Sequence, residues 1–187
     1  MASRQQPTFV PPMLLLRADT LPDDPKRFAY QLKLDGYRAI AFKSAGAVHL
    51  RSRNNKDFSL RYPDVLEGLP KLPDDTMIDG EVVALDDDGP PSFNTLQNAG
   101  SSPTHVQYYV FDVMMLGGKN VMHDTLEDRR TLLERKVLPK LKEPVRYAAP
   151  LDASLPDLIH SVKVQGLEGL VAKRLDSHYE PGLRSGA

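Results

Sequence analysis

The feature that most constrains this chain is a cadence of short strand-like runs broken by turn residues. Residues 28–34 alternate in polarity and give way to Asp35-Gly36. Residues 37–42 and 47–51 flank a turn at 44–46. Alternation with period two, bounded by Gly, Asp and Ser, predicts strands. Connections this short join antiparallel neighbours, so 28–51 reads as an antiparallel meander and not a βαβ unit. Residues 76–85 form a strong strand, Thr-Met-Ile-Asp-Gly-Glu-Val-Val-Ala-Leu. Residues 106–115 form another, ended by Gly117-Gly118.

Helical signals are fewer. Residues 62–69 read as a short helix beginning near Pro63, because proline is tolerated in a first turn. Residues 128–141 place Leu132, Leu133, Val137 and Leu138 on one side. Residues 154–165 read as a helix capped by Ser154 and closed at Gly166. A turn at 86–91 and a short helix at 92–98, capped by Ser92, are also expected. Residues 1–8 read as a frayed end, 21–26 as a turn-rich connection and 167–174 as a final strand. Strands and helices in this mixed order predict an α+β fold.

The chain has 187 residues, which suits one domain, and 41% of them are hydrophobic, enough for a core. There is no cysteine, which excludes disulfides and thiolate zinc sites. No stretch is long and apolar enough to span a membrane, and the run 9–16 is broken by Pro11 and Pro12. Without a signal-peptide pattern the simplest location is the cytoplasm. The formal net charge of −1 gives no hint of a nucleic-acid partner. Arg51, Arg53, Lys56 and Arg61 lie close together in sequence. Such a group is most simply a solvated surface, and less simply a phosphate-facing patch.

The chemistry is concentrated in Lys33-Leu34-Asp35-Gly36-Tyr37-Arg38. A lysine at the end of an apolar strand is held by rigid structure. Partial burial or neighbouring positive charge would make its amine a nucleophile. Alone, the hexapeptide is a surface lysine beside a turn. It is accompanied by Ser52-Arg53, Asp79-Gly80-Glu81, Phe111-Asp112 and Glu168-Gly169-Leu170-Val171-Ala172-Lys173.

Five elements in this order resemble the covalent nucleotidyltransferases: ATP-dependent DNA ligases, RNA ligases and capping enzymes. Within them the chain is similar to bacterial ligases of the end-joining type. Phe9-Val10-Pro11-Pro12-Met13-Leu14, Ser52-Arg53-Asn54-Asn55, Tyr109-Val110-Phe111-Asp112 and Tyr179-Glu180-Pro181-Gly182-Leu183-Arg184-Ser185 carry that closer likeness.

The resemblance implies an ATP-grasp-like adenylation domain with antiparallel sheets flanked by helices. It implies Lys33 as the catalytic nucleophile that attacks the α-phosphate of ATP and becomes linked to AMP. It places Arg38 and Glu81 on the ribose, Phe111 on the adenine, and Arg53, Lys173 and Arg184 near phosphate, with ribose a second option for Arg184. Leu32 joins the nucleotide-binding set. Glu168 is implied as the Mg²⁺ ligand. The substrate would be nicked or broken duplex DNA, in repair, recombination or replication. The protein is expected to be a monomer off the membrane, with end-joining partners.

Two departures bear on this. Related ligases often carry Glu two residues before the nucleophile; here Gln31 stands there, and its amide oxygen can still accept from the adenine amino group. The family also continues into a Lys-x-Lys strand and an oligonucleotide-binding-fold domain, so residues 1–187 are expected to be an adenylation domain cut before the last phosphate-binding strand. Weak or absent activity of the isolated chain follows as an expectation. The alternatives are an RNA ligase or capping-type nucleotidyltransferase, or a nucleotide-binding fragment without activity of its own.

Overall fold

A computed structural model describes residues 6–85 and 105–187. The expected turn at 86–91 and helix at 92–98 lie outside the described residues. Strand β1 is Leu14–Leu15, β2 Phe28–Leu32, β3 Tyr37–Ser44 and β4 Ala47–Ser52. The long strands are β5, Thr76–Leu85, and β6, His105–Leu116, followed by β7, Lys119–Asn120, and β8, Val145–Tyr147. Strands β9, Leu170–Arg174, and β10, Arg184–Ser185, complete the set. Three helices accompany them among the described residues: α1, Pro63–Glu67; α2, Leu126–Leu132; and α3, Leu155–Val164. The α+β expectation holds.

The main sheet runs β4-β3-β5-β6-β7, all antiparallel, with β8 parallel to β6. A second sheet pairs β2 with β9 antiparallel, and a third pairs β1 with β10 in parallel. The expected meander over 28–51 is therefore half right. β3 and β4 form a hairpin, but β2 pairs with β9, because both edges of β3 are taken by β4 and β5. Alternation reports which face a residue occupies and says nothing about which edge it pairs with.

The main sheet is buried on both faces, and the two faces differ. One carries Ala39, Ala41, Leu50, Ile78, Val82, Tyr108, Val110 and Val113, packed with Val65 of α1, Leu133 and Val137. The other carries Ile40, Phe42, Met77, Met114 and Met115, packed with Tyr179 and the N-terminal residues Phe9, Val10 and Met13. Small side chains at positions 39 and 41 fit the first face, where Tyr108 reaches across and donates to the Ala39 carbonyl at 2.9 Å. A third cluster seats α3 on the small sheet, through Leu155 and Leu158 against Tyr30.

Gly36 and Gly80 are not simple turn signals. Gly80 lies inside β5, where a Cβ would come within 2.5 Å of the Tyr109 carbonyl oxygen and 2.6 Å of the Tyr108 ring. At Gly36 a Cβ would sit 2.2 Å from the Val82 carbonyl oxygen, so only glycine lets the chain cross from β2 to β3 here.

The long helix expected over 128–141 is divided. Thr125 caps α2 by accepting from the Asp128 amide, which starts the helix two residues early. A π-helical turn, Leu133–Val137, follows α2, then a 3₁₀ turn, Leu138–Lys140. Pro139 has no N–H for the α-helical ladder, so the regular helix cannot continue through it. At α3 Ser154 accepts from the Asp157 amide, as expected, and Gly166 takes a positive φ of 64° just beyond the C-cap.

Candidate functional site

The site begins with the seam between two sheets. β2 pairs with β9 in register from Phe28↔Arg174 to Leu32↔Leu170. The Lys33 amide extends that ladder by donating to the Gly169 carbonyl at 2.9 Å. Lys33 thus leaves the small sheet with its backbone fixed. Its ammonium forms an ion pair with Glu168, from the turn before β9. The expected nucleophile and the expected metal ligand stand side by side.

Across the seam, β3 and β5 pair Arg38 with Glu81 and Ile40 with Asp79. Residues two apart on a strand share a face, so Arg38, Asp79 and Glu81 converge. Arg38 donates to both carboxylate oxygens of Asp79, from Nε and Nη2, each at 2.6 Å, and Nη2 also reaches the Met13 carbonyl at 3.3 Å. Asp79 is fully buried. The Arg38 side chain is about a fifth exposed. Burial is opposed by Asp79, and the net effect raises the Arg38 pKa above its already high value. Glu81 has no such partner. Burial pushes its carboxyl up to about 7, against the attraction of Arg38.

Phe111 owes its position to a break in the pleat. Asp79 pairs with Asp112 and Gly80 with Val110, so Phe111 is the extra residue of a β-bulge. The Arg38 guanidinium lies 4.5 Å from its ring centroid and the Lys173 ammonium 4.0 Å. Burial pushes Lys173 down to about 8, partly offset by Asp112.

Lys33, Arg38, Glu81, Phe111 and Lys173 line one cavity of about 290 Å³, together with Gln31, Leu32, Arg53, Arg184 and the N-terminal residues Met13, Leu14 and Leu15. Gln31 is buried and its amide nitrogen donates to the Ala148 carbonyl. A carbonyl needs a donor, so the amide oxygen is left as the free acceptor, as adenine recognition requires. Arg53 follows β4 in a tight loop, its amide donating to the Arg38 carbonyl at 3.0 Å. Arg184 comes from β10 and donates to the Leu15 carbonyl. Lys33, Arg38, Arg53, Lys173 and Arg184 give the cavity five cationic residues against the single carboxylate of Glu81. Two of the five are already paired, Lys33 with Glu168 and Arg38 with Asp79.

A family model described as "ATP dependent DNA ligase domain" matches residues 12–187. The chain belongs to this family. It is 33% identical over 183 residues to the multifunctional non-homologous end joining protein LigD of Mycolicibacterium smegmatis, covering 96% of this chain and 23% of that protein. It is 36% identical to the LigD of Pseudomonas aeruginosa, covering 92% of this chain and 21% of that one. In three dimensions it is similar to a mycobacterial DNA ligase D complexed with ATP and MES, with a TM-score of 0.81 at 32% identity. The match covers 94% of this chain and 57% of that one. The chain thus spans about a quarter of the length of these LigD relatives.

In this ligase domain every residue expected to touch nucleotide lines the one cavity, and Glu168 adjoins it through Lys33. The expected cluster of Arg51, Arg53, Lys56 and Arg61 does not act as a unit. Arg51 pairs with Asp57 at 3.8 Å, and Arg61 stacks over Tyr37 and Tyr62. Only Arg53 of the four faces the cavity. Sequence reasoning missed Asp79 as the partner of Arg38 and missed the buried pair of Asp112 with Arg129. In that pair Nε and Nη2 donate to the carboxylate at 2.8 and 2.9 Å. Spacings of 41 and 17 residues carry no signal of contact, although both aspartates stood inside quoted motifs.

Proposed function

We propose that the cavity binds ATP and that the Lys33 amine attacks its α-phosphorus, forming a nitrogen–phosphorus bond as pyrophosphate leaves. The observation that carries this reading is the placement of Lys33: its backbone is held on Gly169, at the edge of a cavity lined by four further cationic residues. Phosphoryl transfer depends on alignment and on charge stabilisation, and both are built into that arrangement. Arg38 and Glu81 then face the ribose, Gln31 and Phe111 the adenine, and Leu32 packs beside the base. Arg53, Lys173 and Arg184 offer positive charge to phosphate.

Glu168 would hold Mg²⁺. Among the described residues no group of three or more acidic or imidazole side chains could cage a metal. A single carboxylate suits an ion that keeps several waters and shares phosphate oxygens. When bound, the ion supplies charge neutralisation on the phosphates. Glu168 would have to leave Lys33 to do so, and the released ammonium must give up a proton to solvent before its nitrogen can attack.

For the whole protein we propose sealing of nicked or broken duplex DNA during end joining, in the bacterial cytoplasm. The relatives' names as end-joining and ligase proteins support this. Among the described residues no helix is long and apolar enough to cross a membrane.

Intact-mass spectrometry with ATP and Mg²⁺ tests the chemistry. One AMP adduct is expected, absent in Lys33→Ala. An adduct that persists in Lys33→Ala overturns the assignment of the nucleophile. Calorimetry detecting no ATP binding overturns the cavity assignment.

A further inference from the structure

Tyr179 opens the Tyr-Glu-Pro-Gly-Leu-Arg-Ser segment, and the function proposed above gives it no role. It is 4% exposed. Its hydroxyl donates to Oδ2 of Asp79 at 2.6 Å, the same oxygen that receives the Arg38 Nη2 at 2.6 Å. The same hydroxyl accepts from the Met13 amide at 3.1 Å. Met13 in turn accepts from Arg38 through its carbonyl. Arg38, Asp79, Tyr179 and Met13 therefore close a ring of hydrogen bonds beneath the cavity, and its two cavity-lining members are Arg38 and Met13.

A carboxylate with one guanidinium partner can swing with it. A second donor on Oδ2 fixes the plane of Asp79, and a bidentate guanidinium must follow that plane. The backbone of Tyr179 is itself anchored, its amide donating to the Met122 carbonyl at 2.8 Å. Its ring lies 5.8 Å from the Arg129 guanidinium.

We propose that Tyr179 is a positioning residue for nucleotide recognition: through Asp79 it sets the Arg38 guanidinium, and through Met13 it sets the N-terminal wall of the cavity. The proposal rests on the reading of the cavity as a nucleotide site with Arg38 on the ribose. It predicts that loss of the hydroxyl is felt at the sugar hydroxyls and not uniformly over the ligand.

The test is the affinity of the chain for ATP and for 2′,3′-dideoxy-ATP, measured by calorimetry. The wild-type protein should prefer ATP. In Tyr179→Phe, which keeps the ring and its packing, that preference should fall by about tenfold, the factor matching one hydrogen bond to a charged group. Asp79→Asn should compress the ratio as well, and the double variant should compress it no further than Asp79→Asn alone, as residues acting in series on Arg38 require, because the Met13 wall bears on both ligands alike. An unchanged ratio in Tyr179→Phe, or equal weakening of both ligands, overturns the proposal, since equal weakening marks a merely structural role. A wild-type protein that binds both ligands equally overturns it while leaving the nucleotide site standing. Binding of neither ligand removes the site itself. Should Tyr179→Phe fail to fold, Asp79→Asn decides alone: with no effect of the intermediary on the ratio, Tyr179 cannot act through it.

Discussion

Two bidentate arginine–aspartate pairs lie on the same side of the main sheet, and they serve different ends. Arg129 and Asp112 are both almost fully buried. The remaining Nη1 of Arg129 donates to the carbonyls of Asp124 and Ser177 at 2.8 and 3.1 Å. The guanidinium is consumed by the protein and ties α2 and the segment after β9 to β6. Arg38 meets Asp79 with the same fork, but its side chain is a fifth exposed and borders the cavity. Identical pairing is structural where every guanidinium nitrogen is bonded internally, and differs where one edge borders a cavity.

The difference can be broken by substitution. Arg129→Met leaves Asp112 buried and unpaired, and should cost about 3–5 kcal/mol in denaturant unfolding. The added Asp112→Leu should recover much of that loss. Arg38→Met should cost less, about 1–3 kcal/mol, because Tyr179 still donates to Asp79. Its larger effect should be on ATP affinity in calorimetry, a loss of at least tenfold. Equal stability losses with ATP binding intact in Arg38→Met would erase the distinction.

The smallest effect sharpens it. Glu81 faces Arg38 without a fork, and burial raises its pKa from the ordinary 4.5 to about 7. The folded protein therefore holds the proton more tightly than the unfolded chain. Its contribution to stability is full below about 4.5 and is lost as pH rises through about 7. The stability difference between wild type and Glu81→Gln should change across that window and be flat above it. A difference that is flat across the window as well would show that burial does not raise the Glu81 carboxyl.

Much of this was legible in the sequence, for identifiable reasons. Strand β5 was delimited at Thr76 and Leu85 because its ten residues carry β-branched and apolar side chains between turn residues. The cap at Ser154 was legible because capping is local chemistry, a side-chain oxygen three residues from the amide it accepts. The strand pairs β1 with β10 and β6 with β8 left no trace in sequence. β1 and β10 are two residues long and β8 three, and each pair joins segments far apart in the chain.

The site divides the same way. The motifs' resemblance to the covalent nucleotidyltransferases nominated Lys33, Arg38, Glu81, Phe111, Lys173 and Glu168, residue types that suit a phosphoryl transfer's need for a nucleophile, cations, a base-stacking ring and a hard metal ligand. Tertiary structure decided what each touches. It moved β2 out of the meander and onto β9, which is what brings Lys33 to Glu168. It turned Phe111 into the cavity through a bulge that alternation cannot foresee. It closed Arg38, Asp79, Tyr179 and Met13 into one ring across 166 residues of chain. Sequence determines the chemistry available at each position. The partners follow only from which strand edges remain open once the stronger pairings have formed.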